Sequence, residues 1–159
     1  MKISIITICF NAATDLENTI ASVRSQKYKD YEYIVVDGGS KDRTVEVINQ
    51  NLDVITKWVS EPDKGIYDAM NKGIKMATGE WVIMMNAGDV FADSDVLQNV
   101  FAHVISDKIT FLYGDTLYLF PDIESDHSPK CSSSKDHIGA QSLLPSPVSL
   151  VGNAIWIIN

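Results

Sequence analysis

The sequence predicts an α/β protein with a mainly parallel sheet and flanking helices, and three observations carry that prediction. Short apolar runs rich in β-branched residues recur along the chain. Stretches with apolar residues at helical spacing alternate with them. Turns rich in Asp, Asn and Gly close most of the runs. Strands alternating with helices imply βαβ units.

Residues 3–9 (ISIITIC) form a β-branched run suited to a strand buried on both faces. Thr14-Asp15-Leu16-Glu17 has the pattern of a capping box, and behind it Leu16, Ile20 and Val23 repeat at helical spacing. Residues 31–36 (YEYIVV) read as a second strand, running into Asp37-Gly38-Gly39-Ser40. Asp42 can cap a helix that carries Val45, Ile48 and Leu52. Residues 54–59 predict a third strand, broken by Ser60-Glu61-Pro62-Asp63-Lys64-Gly65. Ile66, Ala69, Met70, Gly73, Ile74 and Ala77 then lay out one apolar helix face, which Gly79 ends.

Residues 81–85 predict a fourth strand leading into Asn86-Ala87-Gly88-Asp89. Val96, Leu97, Val100, Phe101, Val104 and Ile105 mark another amphipathic helix, capped by Asp93 or Ser94. Residues 109–113 and 116–120 read as further strands. These elements make residues 1–120 one unit. Residues 121–142 shift to Ser, Asp, Lys, His and Pro, the composition of a long loop or a poorly ordered segment. An apolar tail with two prolines follows at 143–159.

Composition narrows the function classes. Of the 159 residues, 45% are hydrophobic and 21% charged, which places the chain among globular domains and away from general disorder. A net charge of −8 argues against a nucleic-acid surface, which needs a basic stripe. A small anionic ligand stays open, because a metal ion or a helix N-terminus can neutralise it locally. Cys9 and Cys131 make no disulfide framework, and Cys9 reads as a core thiol in a reducing cytoplasm. His103, His127 and His137 lack metal-ligand spacing. No run reaches the ~20 apolar residues of a membrane-spanning helix, and the N-terminal run is too short for a secretory signal.

The predicted strand ends collect polar residues: Asn11, Asp37, Glu61 and Asp63, Asn86 and Asp89, and Asp115. Open α/β sheets bind ligands at the carboxyl edge. Solvated turns explain the same residues equally well. The Asp37 turn is either an ordinary turn and cap, or a carboxylate beside glycines that admit a flat base. The Asn86–Asp89 turn either closes a buried strand or offers hard oxygen donors to Mg²⁺ or Mn²⁺. Asp68 and Lys72 form a helical i, i+4 pair, and Lys72 could alternatively reach a diphosphate.

Three segments together resemble the family-two glycosyltransferases of the GT-A fold, and among them bacterial members that build surface polysaccharides. They are ISIITICFNAATDLENTIASVRSQKYKDYEYIVVDGGSKDRTVEVI, SEPDKGIYDAMNKGIKMATGEWVIMMNAGD and, more weakly, FLYGDTLYL. The resemblance runs from about residue 2 to 119. It implies a GT-A (Rossmann-like) sheet whose C-terminal acceptor part is truncated here. Cys9, Phe10 and Asn11 fall where the family closes its first strand around the nucleotide. Asp37 matches the acidic residue that hydrogen-bonds the donor's base, usually uracil, in a turn shaped by Gly38, Gly39 and Ser40. Asp63 and the helix after it would line the ribose, diphosphate and sugar, with Lys72 as a phosphate contact. Asn86 stands in the metal motif and Asp89 matches its metal-binding aspartate, for Mg²⁺ or Mn²⁺. Asn86 and Gly88 depart from the acidic pattern and leave fewer carboxylates.

The implied reaction transfers a sugar, with inversion, from a nucleotide-sugar (UDP-sugar in the usual case) to a glycan or lipid-linked acceptor in polysaccharide biosynthesis. The implied location is the cytoplasm, peripherally at the inner face of the membrane where the acceptor is lipid-linked. The family's general base lies in an acidic motif beyond residue 119, and no such motif is found. Ala140-Gln141-Ser142 has alanine where the subgroup has histidine. Asp115 is the one late strand-end carboxylate, a substitute base or simply a strand terminus. A sheet lacking its acceptor strand would expose apolar surface and invite self-association. The alternative reading is a catalytically inactive nucleotide-sugar-binding remnant or regulatory partner. A sugar-nucleotide pyrophosphorylase ranks below both, because no glycine-rich basic loop follows the first strand.

Overall fold

The computed structural model describes residues 1–101 and the backbone of four short strands beyond them. Strands β1 (Ile3–Cys9), β2 (Tyr31–Asp37), β3 (Lys57–Ser60) and β4 (Trp81–Asn86) lie parallel in the order β3-β2-β1-β4. Helices α1 (Ala13–Ser25), α2 (Thr44–Gln50) and α3 (Ile66–Met76) make the crossovers. After β4 come β5 (Val90–Phe91), α4 (Val96–Phe101), β6 (Phe111–Leu112), β7 (Asp115–Leu117), β8 (Ser149–Val151) and β9 (Trp156–Ile158).

Burial explains why β1 reads as a run without alternation. All seven of its residues are buried. One face sends Ile3, Ile5 and Cys9 into a core with Leu16, Ile20 and Val23 of α1, Val47 and Ile48 of α2, and the buried face of α4. The other sends Ile6 and Ile8 toward Ile34, Val36, Met84 and Ala69 of α3. A strand covered on both faces favours apolar residues without alternation, and its buried Ser4 and Thr7 are hydrogen-bonded to Glu32 and Tyr33. Gly73 lets α3 settle on this face, since a Cβ there would collide with the Ile6 side chain.

The helix starts are held from other elements. Thr14 lies inside α1, whose N-cap is Ala12 with no side-chain cap of its own, so the capping box is not formed. The first free amides of α1 are met from the β2–α2 loop instead. Ala12 N donates to Thr44 Oγ1 at 3.0 Å and Ala13 N to Asp42 Oδ2 at 3.3 Å. Asp42 also serves the start of α2, accepting from Thr44 N at 3.0 Å. The buried face of α2 is Thr44, Val47 and Ile48, while Leu52 is exposed, because the helix ends at Gln50 before Leu52 can turn inward. Strand β3 begins three residues later than expected, after a turn in which Val54 N and Ile55 N both donate to Asn51 O. On α3 only Ala69 and Gly73 are fully buried, and Ile66 and Ile74 of the predicted apolar face are exposed. Asp93 sits before α4, its Oδ1 accepting from Asp95 N at 2.7 Å.

The apolar tail contributes two strands. Strand β9 pairs antiparallel with β4 and with β6, extending the main sheet to six strands. The edge of β4 is therefore occupied, which overturns the expectation of an unpaired sheet side and removes the reason given for self-association. A second sheet has the order β5-β8-β7. Asp115 opens β7 and pairs with Ser149 of β8, so it does not end a strand of the main sheet as expected. With β8 as its partner, the chain re-enters extended structure at Asp115. Val104, Ile105, the histidines and segment 121–142 lie outside the described residues.

Candidate donor-binding cleft

A cleft of about 320 Å³ opens at the carboxyl ends of β1 and β4, where α3 begins. Ile8, Ala69 and Ile66 supply its apolar lining. Cys9, Asp63 and Asn86 supply polar atoms, and Phe10 stands at the wall with 59% of its surface exposed. An exposed aromatic ring beside a carboxylate suits a flat, hydrogen-bonding ligand. Of the residues singled out in the sequence as closing around the donor, Cys9, Phe10, Asp63 and Asn86 line this cleft directly.

Asp63 owes its place to Gly38. A Cβ on Gly38 would lie 2.6 Å from Asp63 Oδ2 and 3.3 Å from the Phe10 ring. Glycine thus lets the carboxylate and the ring meet over the β2 turn. Asp63 Oδ1 accepts from Gly65 N at 2.9 Å, which ties the carboxylate to the start of α3.

Asp37 lies deeper, with no exposed surface. Its Oδ2 accepts from Ser40 N at 3.0 Å and Ser60 Oγ at 2.6 Å, and its Oδ1 accepts from the Ser40 hydroxyl. The Cys9 thiol also points to Oδ1 at 3.9 Å. Burial, reinforced by the Asp37 charge, pushes the Cys9 thiol up to about 12. Ser40 links Asp37 to the β1 turn, because its Oγ accepts from Asn11 N at 2.7 Å. Asn11 takes a left-handed φ of 50° and accepts from Lys41 N at 2.8 Å through Oδ1, the local bonding that makes Asn tolerable there.

The Asn86–Asp89 turn folds on itself. Asp89 Oδ2 accepts from Asn86 N at 2.8 Å, Asp89 N donates to Asn86 O at 3.0 Å, and Asp89 is 4% exposed. Thr19 of α1 holds the turn from behind, and the Asp15 side chain lies against Gly88. A carboxylate and an amide oxygen in one turn are hard donors of the kind Mg²⁺ and Mn²⁺ take. No group of three His, Cys, Asp or Glu able to hold an ion occurs among the described residues. One carboxylate and one amide offer at most two protein donors, so an ion held there would take the rest of its shell from phosphate and water.

Lys72, expected as a phosphate contact, is held by partners on the segment between β3 and the first turn of α3. Its Nζ lies 3.1 Å from Glu61 Oε1 and 3.5 Å from Asp68 Oδ2, and donates to Pro62 O at 3.0 Å. Desolvation opposes its charge, but Glu61 and Asp68 outweigh that and raise its pKa above the ordinary lysine value. The motif search missed Ser60 and Thr19. Ser60 is hidden among turn residues. Thr19 carried a signal, a polar side chain on the apolar face of α1 between Leu16 and Val23.

The sequence profile of "Glycosyl transferase family 2" matches residues 4–153. The chain belongs to glycosyl transferase family 2. An uncharacterised glycosyltransferase of Mycobacterium tuberculosis is 33% identical over 96% of this chain and 59% of its own length. A PGL/p-HBAD biosynthesis glycosyltransferase of Mycobacterium bovis is 36% identical over 72% of this chain and 46% of its own. This family-2 chain thus spans about half the length of the curated relatives it matches. Among solved structures, a Pyrobaculum calidifontis mannosyltransferase with GDP-Man and Mn²⁺ superposes with a TM-score of 0.61 at 23% identity, over 74% of this chain and 35% of that one. S. aureus TarS 1-349 with UDP-GlcNAc gives 0.62 at 19%, over 82% and 37%. At these identities the likeness establishes the GT-A fold. No helix among the described residues is long and apolar enough to cross a membrane.

Proposed function

We propose that this family-2 chain carries the donor site of an inverting glycosyltransferase, taking its sugar from a nucleotide-sugar, UDP-linked, and passing it to a glycan or lipid-linked acceptor. The observation that carries the reading is the cleft itself, where the exposed Phe10 ring and the Asp63 carboxylate meet beside the Asn86–Asp89 turn. The GDP-Man and UDP-GlcNAc bound in the related structures support a nucleotide-sugar here. The PGL/p-HBAD biosynthesis relative supports a role in making a bacterial surface glycan, and in our reading the chain works peripherally at the inner face of the membrane where the acceptor is lipid-linked. The relatives' names are glycosyltransferases and do not favour the inactive-remnant reading.

In this reading Phe10 stacks on the base, and Asp37, braced by Ser40 and Ser60, receives its N–H after one serine hydroxyl yields. Asp63 meets the ribose or sugar side. Asn86 and Asp89 would hold Mg²⁺ or Mn²⁺. Such an ion supplies positive charge to the nucleoside diphosphate as it departs. An acceptor hydroxyl attacking opposite the leaving group inverts the anomeric centre, and a carboxylate base takes its proton. Asp115, at the start of β7, stays the weak candidate for that base.

Calorimetric titration of the chain with UDP, GDP and their sugars, with and without Mn²⁺, tests the proposal. UDP is expected to bind, more tightly with Mn²⁺, and Asp89→Asn is expected to remove the Mn²⁺-dependent part. A folded chain that binds none of these nucleotides would refute the reading.

A further inference from the structure

The loop that carries Asp63 is held from one point. Lys72 has three ammonium protons and three acceptors around it, all on the segment between β3 and the first turn of α3. Glu61 Oε1 is 3.1 Å away, Pro62 O 3.0 Å and Asp68 Oδ2 3.5 Å. Asp68 Oδ2 in turn accepts from Lys64 N at 3.1 Å, and Gly65 N donates to Asp63 Oδ1 at 2.9 Å. Glu61 N donates to Asp37 O at 3.0 Å, so the same loop is also registered on β2. The lysine is 20% exposed, and the cleft is lined by other side chains. To reach a diphosphate it would have to give up its hydrogen bond to Pro62 O and leave two carboxylates.

We infer that Lys72 is a positioning residue: it clamps the 61–65 loop to α3 and thereby sets the Asp63 carboxylate against Gly38 and Phe10 for the nucleoside end of the donor. The inference rests on the proposed donor site and deepens it. A phosphate contact and a loop clamp make opposite demands. The contact acts only on ligands that carry phosphate, whereas the clamp acts on the nucleoside whether or not phosphate is attached.

The test titrates uridine and UDP, each with Mn²⁺, into the full chain and its Lys72→Met and Lys72→Arg variants. Amide exchange at Lys64 and Gly65 is followed by NMR. Lys72→Met is expected to weaken both ligands by the same factor, about three- to tenfold for a partly exposed ion-pair cluster. Lys72→Arg is expected to restore both, and amide exchange is expected to quicken only in Lys72→Met. A loss confined to UDP overturns the inference, as does Lys72→Met with unchanged affinities. Should the unaltered chain bind neither ligand, the donor-site reading has failed, and exchange alone decides the clamp. Unchanged protection in Lys72→Met then overturns it, and faster exchange sustains it.

Discussion

The Thr19 hydroxyl donates to the Asp89 carbonyl at 2.9 Å while accepting from the Gly88 amide at the same distance. It is the first rung of a polar stripe on α1. Phe91 N donates to Ser22 Oγ at 2.7 Å and Leu97 N to Gln26 Oε1 at 3.1 Å. Helical spacing puts Thr19 and Ser22 in line, Gln26 follows as the C-cap of α1, and together they receive the backbone that runs on from β4. Thr19→Val keeps the shape and leaves two backbone groups of the turn without their partner. The expected cost is about 1–3 kcal/mol in urea unfolding, with weaker Mn²⁺ enhancement of UDP binding. A variant as stable as the parent, with the same Mn²⁺ response, would show that the turn holds itself.

Asp37 is expected to matter twice. Asp37→Ala strands the Ser40 and Ser60 hydroxyls and removes a charge-assisted bond to the base. Uridine and UDP should lose similar free energy, about 1.5–3 kcal/mol each. A deficit seen with UDP but not uridine would move Asp37 to the phosphate end of the donor. Ser60→Ala removes only the 2.6 Å bond to Oδ2 and should give a smaller deficit of the same kind.

Acid stability should depend on Glu32, at the opposite edge of the sheet. It is 2% exposed; burial alone would raise its pKa, but hydrogen bonds from Ser4, Thr78 and Lys57 bring it down to about 2. Lys2 adds an ion pair at 3.3 Å. A pKa lower in the folded than in the unfolded state stabilises the fold above the unfolded value of 4.5, and that contribution is lost as pH falls toward 2. The difference is on the order of 3 kcal/mol. Unfolding free energies measured between pH 7 and pH 2.5 should therefore fall less steeply in Glu32→Gln than in the parent. Parallel acid limbs would contradict the assignment.

Cys9 should be chemically quiet although it borders the cleft. With its pKa at about 12, the thiol stays protonated near neutrality, and the thiolate is the reactive form. In a Cys131→Ser background, iodoacetamide at pH 8 should label the folded chain far more slowly than the chain in denaturant. Equal rates would mean that the thiol is neither buried nor protonated as described.

Much of the fold was legible locally. The runs behind β1, β2 and β4 are long, apolar and buried on both faces, so their composition alone marks them, and the bounds of β1 agree with the expectation. The collection of Phe10, Asp63 and Asn86 at one edge also follows from chain order, because parallel strands joined by right-handed crossovers deliver their ends to the same side. The family resemblance rested on these same turns, and the profile match at residues 4–153 agrees with it.

Tertiary structure decided what local pattern could not express. Thr14 and Glu17 spell a capping box, yet α1 is capped by Thr44 and Asp42, which lie 32 and 29 residues from the amides they receive and are adjacent only after β1 and β2 pair. The role of Lys72 depends on which acceptors the fold brings within reach of a flexible side chain, and spacing on one helix names only Asp68. Strand β9 is a short apolar triplet too brief to mark itself as a strand, and it becomes one because the edge of β4 offers unpaired backbone groups. Sequence by itself determined which segments are buried and which turns gather polar residues at one edge of the sheet, since those follow from side-chain polarity at neighbouring positions. Capping, clamping and edge pairing were settled only by the assembled sheet, because each joins groups far apart along the chain.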